Sequence, residues 1–351
     1  MKERKFFIIT VIAIIAVTVF LSLFSFLSNN YRDRPEKILS KYANENESRT
    51  YNSILIRRFS FDSIILGTSL SEGFKCSEFD AAFGGQSIKL SAPRANFAEM
   101  KEFLKFAVKH KKIQKVLLDA PVEFYAKKQT LQNFPMEYYN GKIIWMRLKK
   151  SLSINMLFDE FTFVRKILRG KVKYITRDEL YDWNITYACS EKIFAKYILF
   201  HKYSNLLTQN NGYETAAVQA NNIVNSLFQT YPDIEFIVFF PPFSMMAYQY
   251  IDNHKYVALK EKIINMLLTC HNVKLYDFET AHHIMTDYSK YRDHTHYSGR
   301  INSWMIQEMK KNNYRITNQN KKAALEKLFK MLESYDYQKE FERLASIYKE
   351  R

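Results

Sequence analysis

The stretch Phe61-Asp62-Ser63-Ile64-Ile65-Leu66-Gly67-Thr68-Ser69-Leu70-Ser71 reads as a buried strand over 64–66. It turns at a small-residue corner, Gly67-Thr68-Ser69, into a polar, helix-capping segment. A strand ending in such a corner lifts one hydroxyl to the carboxyl edge of a sheet. That edge is where open α/β sheets bind ligands. Ser69 then sits where a nucleophile sits, with its own N–H and the start of the following helix available to an oxyanion. The same pattern also serves as a plain strand-to-helix cap, and alone it does not separate the two.

Far downstream, Tyr291-Arg292-Asp293-His294-Thr295-His296-Tyr297-Ser298 places an Asp three residues before a His, ahead of a helical run from about Arg300. Serine chemistry needs a base on the hydroxyl and a carboxylate that holds the base in the right tautomer. One Asp-x-x-His turn can supply both. Ser69 is thus the candidate nucleophile, His296 its general base and then acid, and Asp293 the group that orients His296.

With Gly-Thr-Ser after the first strand and Asp-x-x-His after the last, the chain resembles the SGNH/GDSL hydrolase superfamily. Within it the closer likeness is to membrane-anchored SGNH-like proteins of cell-surface polymer acylation, such as the alginate acetylation proteins. The likeness covers about residues 58–312. It implies an O-acyltransferase or acyl esterase acting on a surface polysaccharide, working alongside a multi-spanning O-acyltransferase. It also implies a single-pass protein of a bacterial inner or cytoplasmic membrane, with its C-terminal domain periplasmic or extracellular.

The N-terminus agrees with an anchor. Lys2, Arg4 and Lys5 precede residues 6–27, a run with neither charge nor proline. About 20 apolar residues span a bilayer, whereas a signal-peptide core is usually about 7–15 long. No Ala-x-Ala-like site follows, so the reading is an uncleaved span with its basic end cytoplasmic and residues from 31 onward outside. Residues 31–57 read as a polar stalk.

Composition narrows the field. A hydrophobic content of 47% and an aromatic content of 16% supply a core and exclude a disordered chain. With 8 Gly and 7 Pro there is little scope for a loop-rich or repetitive architecture. The net charge of +16 suits an anionic partner, or reflects a Lys-rich bias with no specific partner. Nucleic acid is not expected, because no recognition motif accompanies the charge. Behind an export anchor, anionic lipid headgroups or an acidic polysaccharide fit better. Cys76, Cys189 and Cys270 have no metal spacing and form no disulfide framework.

Further strands are read at 87–90, 116–118, 235–240 and 273–278, alternating with helices at about 97–108, 214–230, 254–269 and 299–311. Five strands with intervening helices predict a flavodoxin-like, three-layer α/β/α domain over 58–312 with a parallel sheet. From about 124 to 212 the alternation breaks. This stretch reads as a mostly helical aromatic insertion, with helices near 142–168 and 190–208, that lids the site or forms an interaction surface. Its Trp145, Trp183 and Tyr138-Tyr139 are either core or a sugar-stacking platform. Beyond Asn318 an appended charged amphipathic helix or helix pair carries Leu325, Leu328, Phe329 and Leu332 on one side.

The site departs from the family pattern in its oxyanion donors. The family places a Gly in the second motif and Gly-x-Asn in the third. Here the loop 91–96 has no Gly, and the third strand ends in Asp119. Arg94 and Asn96 are the candidates for oxyanion or substrate contacts, and Ser91 or Asn96 can equally cap the helix that follows. His282-His283 and His294/His296 do not complete a tetrahedral set with any cysteine or carboxylate, so neither metal nor cofactor is expected. The competing reading is a catalytically silent module of the same fold that holds a surface glycan or a membrane-bound O-acyltransferase. A weaker one is a basic membrane-attached protein that contacts nucleic acid.

Overall fold

Five apolar runs become the strands of one sheet, at the places where their composition puts them. They are Ser63–Gly67 (β1), Ser87–Ser91 (β2), Lys115–Asp119 (β3), Glu235–Phe240 (β4) and Val273–Asp277 (β5). The computed structural model describes residues 2–32, 38–39, 47–140 and, apart from 163, 167, 172, 202, 204 and 210, residues 161–349. The five strands are parallel, in the order β2-β1-β3-β4-β5. Ile64, Ile65, Leu66, Val116, Leu117, Leu118 and 236–240 are fully buried, so both faces of the central strands are covered. A parallel sheet needs helices on both faces to bury such runs. The arrangement is α/β and consistent with three α/β/α layers.

Register brings the carboxyl ends of the strands to one edge. Gly67 lies opposite Ser91, Asp119 opposite Phe239, and Phe240 opposite Asp277. A sixth strand, Arg315–Ile316 (β6), pairs antiparallel with β5. Two residues carry no periodicity, which is why the sequence reading has five strands. The helix Phe97–His110 starts on a capping box, Asn96 with Glu99, and Asn253–Leu267 starts on the Asp252 carboxylate. The tail forms two helices, Lys321–Ser334 and Tyr337–Lys349, with Leu325, Leu328 and Leu332 buried and Phe329 against the His254 ring. Asn253 Nδ2 donates to Glu333 and Lys321 Nζ to Asn265, which ties the first of them to Asn253–Leu267.

The chain divides into two compact units, Met1–Phe59 with Asn133–Thr176, and Ser60–Gln132 with Arg177–Arg351. The second holds the sheet, and residues 177–212 belong to it. In the first, Ile38–Leu39 pairs antiparallel with Tyr174–Ile175, and Ser48–Arg58 is a helix. Arg57 donates to Tyr138 O, and the Tyr139 hydroxyl donates to Arg49 O. Both tyrosines are buried and offer no open ring face to a sugar. Most of the helix expected near 142–168, with Trp145, lies outside the described residues, as does much of the 31–57 stalk.

The uncharged run 6–27 lies within a helix, Lys2–Arg32. Several of its side chains lie outside the described residues, and over those that are described no helix is long and apolar enough to cross a membrane.

At the end of β5 sits a polar cluster with no exposure to water. Lys260 Nζ lies 2.7 Å from Asp277 Oδ1 and 2.6 Å from Glu279 Oε2, and all three side chains are buried. The Tyr256 hydroxyl donates to Glu279 at 2.8 Å. Burial pushes the Glu279 carboxyl up, and Lys260 only partly offsets this. One lysine therefore faces two carboxylates beneath the strand that leads to the His296 turn. Lys260→Met would leave both carboxylates buried without their cation. It is expected to cost about 3–5 kcal/mol in urea unfolding. Lys274→Met, which breaks a half-exposed pair with Glu235, should cost less than about 1 kcal/mol. Equal losses in the two variants would contradict this account of the cluster.

Candidate active site

The corner after β1 is shaped by a carboxylate from β3. Asp119 accepts the Thr68 N–H at 3.1 Å and the Thr68 hydroxyl at 2.5 Å, with all of these groups buried. A Cβ on Gly67 would stand 1.8 Å from Asp119 Oδ1, so only glycine lets the carboxylate approach. Ser69 is pushed outward by this packing and is half-buried. The chain then makes turns through 68–74, and the next helix, Cys76–Phe83, begins seven residues after Ser69. The helix N-terminus expected beside Ser69 is therefore not there. The Ser69 N–H has no partner among the described residues.

The second half of the site is a hairpin over 290–298. Ser298 N donates to Lys290 O at 2.8 Å, and Arg292 N to His296 O at 2.9 Å. The Ser244 N–H and hydroxyl both donate to His294 O, and the Tyr291 hydroxyl donates to Pro242 O. The prolines that stop β4 thus lead into the segment that fixes the hairpin. Within it, Asp293 Oδ1 accepts the N–H groups of Thr295 and His296 at 3.0 and 2.8 Å.

These two halves meet. Ser69 Oγ lies 2.9 Å from His296 Nε2, and His296 Nδ1 lies 2.8 Å from Asp293 Oδ2. Burial alone would raise the Asp293 carboxyl, but hydrogen bonds from the His296 ring, its charge and the two N–H groups bring it down to about 2. An ionised Asp293 accepts a proton donor at Nδ1, which leaves Nε2 as the acceptor for the Ser69 hydroxyl.

His294 has another role. It is buried, stacks on Tyr203 at 4.6 Å between ring centroids, and burial lowers its pKa to about 4. It stays a neutral aromatic plug at neutral pH. Among the described residues no three or more His, Cys, Asp or Glu are placed to hold a metal ion.

Of the two roles the sequence offers Asn96, an oxyanion contact and a helix cap, the structure places it in the cap. Its Oδ1 accepts Glu99 N–H at 3.0 Å and its Nδ2 donates to Thr130 O at 2.8 Å, so the side chain is spent on the helix cap. The capping signature Asn-x-x-Glu was there to be read. Arg94 is exposed and left-handed, with φ 56°, a backbone conformation that favours glycine. Lys127 holds this turn by donating to the carbonyls of Arg94 and Ala95.

Two further side chains join the halves. Trp183 is buried, donates its indole N–H to Ser69 O at 2.9 Å, and meets the His296 ring edge-on at 5.5 Å. It positions the site and is no sugar platform. Asn184 accepts Gly299 N–H at 2.9 Å, and Asn302 donates to Leu70 O at 3.0 Å. Gly73 sits between them, where a Cβ would lie 2.5 Å from Asn302 Oδ1 and 2.9 Å from Asn184 Nδ2. The segment carrying Trp183 is itself anchored by the buried Lys89, which donates to Glu72 O and Asp178 O.

Comparison of the chain with protein-family models and with curated proteins found no match.

Asp119 gives a test of this packing. Burial raises its carboxyl from 3.8 to about 6, although hydrogen bonds from Thr68 pull the other way. The folded protein therefore holds a proton that the unfolded chain has released. The associated stability is present below about pH 4 and is lost as pH rises through about 6. Asp119→Asn removes the titration. The stability of the wild type relative to this variant should fall by up to about 3 kcal/mol between about pH 4 and pH 7. A flat or rising difference would contradict the buried, proton-holding carboxylate.

Proposed function

We propose that this chain is a membrane-anchored serine acyltransferase or acyl esterase of the SGNH type, with a flavodoxin-like domain that acts on a cell-surface polysaccharide. The observation that carries the reading is the chain of contacts Ser69 Oγ to His296 Nε2 to Asp293, at 2.9 and 2.8 Å. The strand order 2-1-3-4-5 and the position of Ser69 after β1 also support it. For the anchor, the 6–27 run would reach about 33 Å as a helix against a hydrocarbon core of about 30 Å. That orientation leaves residue 31 onward outside, where a surface glycan is met and where an acyl group can arrive from a multi-spanning O-acyltransferase.

In this reading His296 takes the Ser69 proton as Oγ attacks the acyl carbonyl, and Asp293 stabilises the imidazolium that forms. The tetrahedral oxyanion faces the Ser69 N–H. His296 then returns the proton to the departing alcohol, leaving an acyl-serine. A glycan hydroxyl, deprotonated by the same imidazole, completes transfer, and water in its place completes hydrolysis. Each missing oxyanion donor costs about 10²–10³ in rate. With Asn96 committed to its helix cap, activity toward a small activated ester should be low, and binding of the acceptor must supply much of the acceleration.

Two measurements follow. The purified protein should cleave p-nitrophenyl acetate slowly, and Asp293→Asn should lower that rate by about 10³–10⁴. In cells, Ser69→Ala should lower the ester content of the surface polysaccharide. Raised ester content would point to de-esterification. Unchanged content at normal protein levels would leave the silent, glycan-holding module, the reading that the unavailable Asn96 amide favours.

A further inference from the structure

Arg292 lies on the same hairpin as Asp293 and His296, and its backbone N–H pairs with His296 O. Its guanidinium lies over the Tyr187 ring, 3.7 Å from the centroid. Tyr187 is 42% exposed and belongs to the turn that begins at Trp183, its N–H donating to Trp183 O at 3.0 Å. The pair therefore links the hairpin that carries His296 to the turn that carries Trp183, and Arg292 is half-buried there. Stacking uses the face of a guanidinium and leaves its in-plane N–H donors free. Among the described residues none of these donors has a hydrogen-bond acceptor, and no carboxylate forms an ion pair with them. The nearby Asp293 carboxylate is already taken by the His296 ring and two backbone N–H groups. A cation held flat with its donor edge unused, on the hairpin that carries Asp293 and His296, can receive a planar or tetrahedral anion in a bidentate manner.

We propose that Arg292, held on Tyr187, binds an anionic group of the substrate, a carboxylate or a phosphate ester, and so selects an acidic glycan for Ser69. The proposal rests on the functional reading above for its substrate class, but binding alone tests it. Acidic sugars also fit the net charge of +16, which favours encounter with a polyanion. The exposed Ile185 and the ring of Tyr187 give the apolar rim against which a sugar face can lie.

The test uses the full chain in detergent micelles, carrying Ser69→Ala so that no turnover occurs. The probes are trigalacturonate, its methyl ester, and maltotriose bearing a phosphate ester, each titrated by calorimetry. An anionic probe is expected to bind at least about 10-fold more tightly than the neutral methyl ester at low salt, a preference that shrinks as salt is added. Arg292→Gln should weaken the anionic probe by about 10- to 100-fold, and Arg292→Lys should restore only part of it. Tyr187→Ala, at an exposed position that leaves folding intact, should weaken it by about 3- to 10-fold. A winning carboxylate or phosphate probe identifies which anion the site takes. Equal binding of charged and neutral probes, no binding of either anion up to about 10 mM, or a preference unchanged in Arg292→Gln and Tyr187→Ala overturns the proposal. Failure of the serine chemistry would show separately, as esterase activity that survives Ser69→Ala.

Discussion

The Asp119 carboxylate pressed against the Gly67–Thr68 corner is the contact on which the rest of the site depends. It ties the end of β3 to the end of β1 through the Thr68 N–H and hydroxyl, in a place from which water is excluded. A buried carboxylate is tolerated only with its acceptors filled, and here the corner fills them. The geometry leaves no room for a side chain at residue 67, and it turns Ser69 out toward the sheet edge. The end of β3 is thus used to hold the corner from which Ser69 projects.

Ser69 and His296 meet across a sequence separation of 227, so a second set of contacts must keep them in register. Trp183 does so at the chemistry itself, through Ser69 O and the edge of the His296 ring. Asn184 and Asn302 do so one layer back, across Gly73. Below them, Lys260 with Asp277 and Glu279 braces the start of the path from β5 to the hairpin. All of these but the half-buried Asn184 are buried, and each has specific polar partners, which fixes one arrangement where apolar packing alone would permit several.

The strands and the meeting of Ser69 with the Asp293–His296 turn were legible because both have local signatures. A short apolar run such as Glu235–Phe240, too short for a helix and ended by prolines, reads as a buried strand, and an Asp-x-x-His turn needs four residues to be recognised. What escaped the sequence is what depends on distance in the chain. Nothing near Trp183 announces that its N–H meets Ser69, and an aromatic-rich stretch reads equally as core or platform. Asp119 carries no sign of its partner, because hydrogen bonds from Thr68 arise only once β1 and β3 lie side by side. Asn96 was different: its capping box with Glu99 was visible, and local pairing prevailed over the oxyanion role.

Activation of Ser69 by His296 can be read out by treating the full chain with a fluorophosphonate and mapping the adduct by mass spectrometry. A single adduct is expected on Ser69, absent from His296→Ala, because the hydroxyl attacks phosphorus only when its proton is taken by the ring 2.9 Å away. An adduct on another residue, or none on a folded wild-type protein that a small fluorophosphonate can reach, would contradict it.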